Sequence, residues 1–286
     1  MRTLRTVSEL RAALALPRRE GRTIGLVPTM GSLHEGHLSL IRRAREECDE
    51  VVVSLFVNPT QFDDPTDLRA YPRDEARDGE LAADAGADLL FAPPVEEVYP
   101  AGFSTTVAVR GLTAPLEGEH RGVGHFDGVT TVVTKLLNMV GPDVAYFGQK
   151  DAQQALVIRK LVIDLDIPVR VEIAPTVREP DGLALSSRNA RLTGPDRERA
   201  LALATALRAA EEAVAAGERD VHRVRTAALA AMKTYDVEPE YLELVSTTDL
   251  APVAAIDGDT LLAVAARVGG VRLIDNTILS ANGSKH

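Results

Sequence analysis

Short apolar runs alternate with stretches of helical periodicity through the first two thirds of the chain. The runs at 23–27, 51–57, 88–91, 144–147 and 169–173 predict strands, being rich in Val, Ile and Leu and bounded by turn residues. Between them, apolar positions three and four apart predict helices near 37–47, 73–85, 126–140 and 152–165. This alternation predicts a parallel sheet with helices on both faces, and right-handed crossovers then gather the strand-to-helix loops along one edge. Ligands of open α/β sheets bind outside those carboxyl ends.

The texture changes after Pro175. Thr193-Gly194-Pro195 opens an Ala-rich helix predicted to reach about residue 216, and 220–234 reads as a second. Strands are expected at 241–246, 260–267 and 271–277, with 251–259 a loop and 280–286 a frayed tail. Helices followed by strands, without alternation, predict a smaller α+β domain. The expected division is 1–176 and 177–286.

With 286 residues, 45% of them hydrophobic, the chain can hold two domains, or one large one, with ample core. Trp is absent and aromatics are 4%, so packing must rest on Ala, Leu, Val and Ile. A formal charge of −10 argues against a broad nucleic-acid-binding face, which needs a basic surface. A small anion is still allowed, since a few cations and backbone N–H groups hold phosphate. Cys48 is the only cysteine, which rules out an intrachain disulfide and a thiolate metal cluster; its setting predicts a buried, inert thiol. The amphipathic N-terminus lacks a signal peptide's apolar segment, and no run is long and apolar enough to span a bilayer. A soluble, cytoplasmic protein with no membrane partner is expected.

The candidate chemistry falls on the predicted loops. Gly31 permits a tight turn after the first strand, and Ser32-Leu33-His34-Glu35 fits a capping box. Exposed N–H groups at such a helix start favour an anion. His34 and His37, three apart, can share a helix face and donate to phosphoryl oxygens, and Gly36 between them leaves room for a ligand. The bland alternative is a packed histidine, because His37 falls within the stripe of Leu33, Leu40, Ile41 and Ala44. Zinc is disfavoured, since H-E-G-H is not H-E-x-x-H, and no protein-held metal is expected.

Gly148-Gln149-Lys150-Asp151 follows another strand. Asp151 can cap the next helix, Lys150 can act as a point charge for phosphate, and Gln154 presents an amide in the first turn. The alternative is a plain strand–turn–helix with a solvated lysine. Asn58 and Gln61 lie past the second strand, where neutral amides suit a small hydroxylated carboxylate; Asn58 could equally serve only its own turn. Arg121 and His125 open a further helix and could meet an anion. Ser186, Ser187 and Arg188 offer two hydroxyls and a forked cation suited to the outer phosphates of ATP and to charge developing on leaving pyrophosphate. The turn signal Asp181-Gly182 before them fits a movable flap.

Taken in order, PTMGSLHEGH at 28–37, FVNPTQF at 56–62, HFDGV at 125–129, FGQKDAQQ at 147–154 and PTVREPDGLALSSRN at 175–189 closely resemble the pantothenate synthetase (pantoate–β-alanine ligase) family of the nucleotidylyl-transferase superfamily. The resemblance spans the first domain and the junction; fewer motifs match in the second domain. It implies a Rossmann-like fold and an AMP-forming ligase that joins pantoate to β-alanine through pantoyl adenylate, releasing AMP and pyrophosphate, with Mg²⁺ accompanying ATP. It implies that Met30, Gly31, Ser32, Leu33, His34, Glu35, Gly36 and His37 line the ATP site, completed by Gly148, Gln149, Lys150 and Asp151. Val177, Leu185, Ser186, Ser187 and Arg188 would cover the nucleotide from the second domain. Gln61 and Gln154, with Asn58 beside them, would hold pantoate, and Gln61 would also lie near β-alanine. His34, His37, Lys150 and Arg188 would act on the reacting phosphates. His37 takes the position usually labelled proton donor, yet an attacking carboxylate has no proton to lose, so hydrogen bonding is a sufficient role. Leu185 stands where the family often has Met, a volume-conserving change. Homodimers are implied.

Competing readings are an adenylyltransferase of the same superfamily with a phosphate acceptor, and a silent nucleotide-binding module. The first wants more basic residues at the acceptor pocket than Gln61 and Gln154 supply; the second should lack part of the phosphate-handling set. A class I aminoacyl-tRNA synthetase lacks a basic surface for tRNA here.

Overall fold

The structure is a computed structural model that describes residues 1–62 and 65–281. The chain divides into two compact units, residues 1–148 with 153–174, and residues 149–152 with 175 onward.

The first unit holds a six-stranded sheet: β1 (Arg2–Leu4), β2 (Ile24–Thr29), β3 (Glu50–Leu55), β4 (Leu89–Phe91), β5 (Val144–Gly148) and β6 (Arg170–Ala174). Every pairing is parallel and the order is β1-β4-β3-β2-β5-β6. From β2 the chain runs outward through β3 and β4, then returns to add β5 on the other side of β2. The switch point therefore lies between β2 and β5, where such sheets place ligands. Helices α1 (Val7–Arg19), α2 (Glu35–Glu47), α3 (Pro65–Ala70), α4 (Glu75–Asp84), α5 (Val95–Val98), α6 (Glu117–Arg121), α7 (Val123–Val140) and α8 (Ala152–Asp164) complete the unit. Val51, Val52 and Val53 are buried throughout, as a central strand covered on both faces requires. Gly25 is needed in β2 because a Cβ there would press Cys48 Sγ at 3.0 Å. Cys48 itself is buried beside the Tyr146 hydroxyl at 3.3 Å, and burial raises its thiol pKa, which keeps it inert.

The predicted strands and helices of this unit are all present. The additional strand β1 has no sequence signal, since three residues are too few to show a period. The amphipathic N-terminus is α1, started by a capping box between Thr6 and Glu9.

The second unit packs α10 (Leu201–Ala215) and α11 (Val221–Lys233) with an antiparallel sheet ordered β7 (Pro239–Ser246), β8 (Thr260–Val268), β9 (Val271–Leu279). Ala202, Ala206 and Ala210 recur every fourth residue on the buried stripe of α10, where small side chains permit close packing. The single helix expected from residue 195 is α9 (Pro195–Arg199) followed by α10, with bonding tightened at Ala200, whose carbonyl accepts from Leu203 N at 3.4 Å. Residues 251–259 form no strand. Of the expected tail, residues 282–286 lie outside the described residues. No helix among the described residues is long and apolar enough to cross a membrane.

Candidate active site

The turn from β2 to α2 is built around a carboxylate supplied by α4. Gly31 has φ +91° and Ser32 φ +55°, a left-handed conformation that costs a non-glycine residue on the order of 1 kcal/mol. Asp78, 1% exposed, holds it: Oδ2 accepts from Ser32 N at 2.8 Å and Oδ1 from Leu33 N at 2.7 Å. A Cβ at Gly31 would stand 3.0 Å from both Asp78 Oδ2 and Leu55 Cδ1, so this glycine serves space as well as φ.

The expected Ser32–Glu35 capping box is not formed. Asp78 turns the chain at Ser32 away from a cap geometry, and His34 becomes the N-cap. Its Nδ1 accepts from Gly36 N at 3.1 Å, while His37 Nδ1 accepts from His34 N at 3.4 Å. A ring nitrogen that accepts an N–H bond carries a lone pair, so in the neutral imidazole the proton resides on Nε2. The two rings lie 4.2 Å apart. Gly36 is explained by the same cap, because a Cβ there would meet His34 Cε1 at 2.9 Å.

Bare backbone donors were also expected, and here too the structure differs. Gly31 N bonds Thr29 Oγ1, Ser32 and Leu33 bond Asp78, His34 and Gly36 bond the imidazoles, and His37 N bonds His34 O. Of the N–H groups from 31 to 37, that of Glu35 is left for an anion among the described residues. The backbone N–H groups of this turn are therefore largely committed within the chain.

Beyond β3, residues Pro59–Gln61 form a 3-10 turn. Asn58, 1% exposed, has its amide engaged: Oδ1 accepts from Tyr99 Oη at 2.8 Å and Thr60 Oγ1 at 3.0 Å, and Nδ2 donates to Gln61 Oε1 at 3.0 Å and Gly128 O at 3.1 Å. It orients Gln61, whose Nε2 lies 3.2 Å from Met30 Sδ. Helix α7 backs this turn. His125 Nδ1 is 2.8 Å from Gln61 O, and a Cβ on Gly128 would stand 2.5 Å from Thr60 O. The H-F-D-G segment thus braces Gln61, and Arg121 pairs with Glu117 at 2.6 Å. On α8 the paired glutamines divide. Gln153 is buried and ties down Glu117 N, Leu112 O and Pro115 O, whereas half-buried Gln154 makes no side-chain hydrogen bond among the described residues.

The second unit holds the cations. Gly148 ends β5, and residues Gln149–Asp151 form a 3-10 turn leading into α8. Exposed Asp151 lies inside that turn and makes no capping bond among the described residues, contrary to expectation. Half-buried Lys150 makes no ion pair among the described residues. It lines one crevice with Ser186, Arg188, Asn189, Arg272 and Asp275. The anticipated flap is a bonded hairpin: Leu185 N to Val177 O at 2.9 Å, Glu179 N to Leu183 O at 2.8 Å, and a turn closed by Gly182 N to Glu179 O at 2.8 Å. Ser186 Oγ accepts from Arg188 N at 3.3 Å and caps the 3-10 turn Ser187–Arg191, on which Ser187 and Arg188 are exposed.

The sequence model of the pantoate-beta-alanine ligase family matches residues 2–278. The chain belongs to that family. It is 54% identical over 273 residues to a pantothenate synthetase of Cereibacter sphaeroides, covering 96% of this chain and 98% of that one. To the pantothenate synthetase of Moorella thermoacetica it is 52% identical, covering 99% and 100%. A crystal structure of pantothenate synthetase from Thermus thermophilus superposes with a TM-score of 0.91 at 49% identity, over 97% and 99% of the chains. The pantoate-beta-alanine ligase of Francisella tularensis, complexed with "beta-gamma ATP" and β-alanine, does so at 0.80 and 34%, over 97% of each. Membership makes this chain an ATP-dependent ligase acting on pantoate and β-alanine.

Within this ligase fold, the first unit brings Met30, His34 and His37 onto one turn, with Gln61 against Met30. The second gathers Lys150, Ser186 and Arg188 on one crevice, while Val177 and Leu185 form its hairpin rungs. Sequence reasoning misses Asp78, because its segment is so rich in acids that it reads as a solvated face. A signal exists: Asp78 stands four residues before Ala82 on the buried stripe of α4.

Proposed function

We propose that this ligase works in two steps through a pantoyl adenylate. A pantoate carboxylate oxygen attacks the α-phosphorus of ATP; a P–O bond forms as the bond to the β-phosphate breaks, and pyrophosphate leaves. The β-alanine nitrogen then attacks the acyl carbon, the C–O bond to AMP breaks, and the amine releases a proton. The observation that carries this reading is the imidazole pair at the helix start beside the sheet's switch point, with both Nδ1 atoms engaged. In this reading the Nε2–H groups donate to phosphate, and a donor fixed in advance gains most against the charge that develops at the transition state. His37 acts here as a hydrogen-bond donor. Lys150 and Arg188 supply positive charge to the phosphates, and Ser186 and Ser187 supply hydroxyl donors.

Gln61 and Gln154 hold pantoate through its hydroxyls and carboxylate, with Asn58 acting through Gln61. Magnesium would accompany ATP, as the family resemblance implies, and no protein ligand is assigned to it. There it would neutralise phosphate charge. A homodimer and a cytoplasmic location complete the reading and rest on the family alone.

The deciding experiment mixes the enzyme with ATP, Mg²⁺ and pantoate and follows pyrophosphate. Release limited to roughly one equivalent per site, with AMP and pantothenate appearing once β-alanine is added, is the expected result. Pyrophosphate that appears only when β-alanine is present would rule out a free-standing adenylate step. For Gln154→Ala we expect the pantoate KM to rise about tenfold, the worth of one or two lost hydrogen bonds, with ATP binding unchanged. Steady-state kinetics with each substrate varied would show it, and the reverse pattern would remove Gln154 from the pantoate pocket.

A further inference from the structure

Asn276 on β9 is 4% exposed, and it spends its amide on the turn that carries Lys150. Its Nδ2 donates to Gln149 O and to Lys150 O, each at 2.9 Å, and its Oδ1 lies 3.4 Å from Gln149 Nε2. A buried carboxamide is costly unless bonded, and an apolar side chain would serve packing alone. This one is aimed at two consecutive carbonyls, which fixes the backbone on both sides of the Lys150 Cα.

The preceding residue performs the matching task for the other loop. Asp275, 3% exposed, takes both guanidinium nitrogens of Arg178, at 2.7 and 3.1 Å, and the N–H of Asn276 at 2.8 Å. Arg178 in turn donates to Gly182 O at 3.1 Å, at the tip of the hairpin that leads to Ser186 and Arg188. Two adjacent residues of one strand thus anchor both segments that line the crevice.

We infer that Asn276 is a positioning residue, which sets the Lys150 ammonium in the crevice it shares with Arg188 by clamping the main chain of residues 149–150. The inference rests on the proposed role of Lys150 at the phosphates. The geometry of the lysine then depends on a residue of the second unit's sheet, 126 positions later in the chain.

A double-mutant cycle tests it in the full-length enzyme, reading single-turnover pyrophosphate release from ATP, Mg²⁺ and pantoate. Asn276→Ala is expected to slow release about tenfold, in keeping with the loss of two hydrogen bonds, with the pantoate KM unchanged. In a Lys150→Ala background the same change should cost nothing further. An equal loss in both backgrounds would overturn the inference, because Asn276 would then act independently of the lysine. If Lys150→Ala alone is as fast as the parent, the phosphate role of Lys150 falls, and the inference with it; this outcome is visible before Asn276 is touched. Thermal unfolding of each variant accompanies the cycle. Should Asn276→Ala fail to fold, Asn276→Ser keeps one donor and goes through the same cycle, where the same two outcomes decide.

Discussion

Replacing Lys150 with alanine should slow pantoate-dependent pyrophosphate release about a hundredfold and leave the melting temperature unchanged. The two halves of that expectation have separate grounds. Lys150 is half-buried and makes no ion pair among the described residues, so its removal breaks no salt bridge of the fold there. It lines a crevice with Arg188 and Ser186, where a point charge can meet phosphate. Loss of one preorganised donor to transition-state charge typically costs ~3 kcal/mol, or ~10² in rate. Single-turnover pyrophosphate measurements beside a thermal melt would check both halves. A rate within about twofold of the parent would take the lysine out of the reaction, whereas a melt lowered by many degrees would mean that it serves the fold.

Asp78→Ala should unfold more easily by about 2–4 kcal/mol and use ATP poorly. The carboxylate is buried and accepts two backbone N–H groups, and orphaning a buried donor costs ~1–3 kcal/mol. The left-handed conformation of Ser32 loses its support at the same time, and the imidazole cap that begins two residues later has no fixed origin. Asp78→Asn, which keeps one acceptor oxygen, should fall between the parent and the alanine variant. Urea unfolding and the ATP KM are the readouts. A loss below about 1 kcal/mol with normal ATP use would show that the turn holds its shape unaided.

These two residues also mark how far the sequence can be read. The place of Lys150, on the turn between β5 and α8, is legible because an apolar strand precedes it and a helical pattern follows, a local pattern with a local reason. So are β2, β3 and β5, whose runs are mostly apolar because both of their faces are covered. Asp78 is not legible, because its partners stand 45 and 46 residues away and leave no trace in its own neighbourhood. The same long-range bond explains the misplaced helix start: Ser32-Leu33-His34-Glu35 satisfies the capping pattern, yet Asp78 claims the backbone first. Arg121 and His125 stand out as chemistry-bearing in the sequence, whereas their partners in the fold, Glu117 and the Gln61 carbonyl, leave no local signal. The hairpin before Ser186 reads as a flap because its brace is remote: Arg178 is held by Asp275, 97 residues on.

The engagement of nearly every N–H from Gly31 to His37 bears on how such a site can change over generations. Where an anion is held by main-chain amides, almost any mutation leaves the donors in place, and recognition is robust but slow to diversify. At this helix start the donors proposed for the phosphates are side chains, written in two codons. A single base change can delete one of them, and because each imidazole also accepts a backbone N–H of the turn, that change removes part of the helix cap as well. Scaffold and chemistry are therefore inherited together at this helix start, with Asp78 holding the entry to the turn from a distant helix.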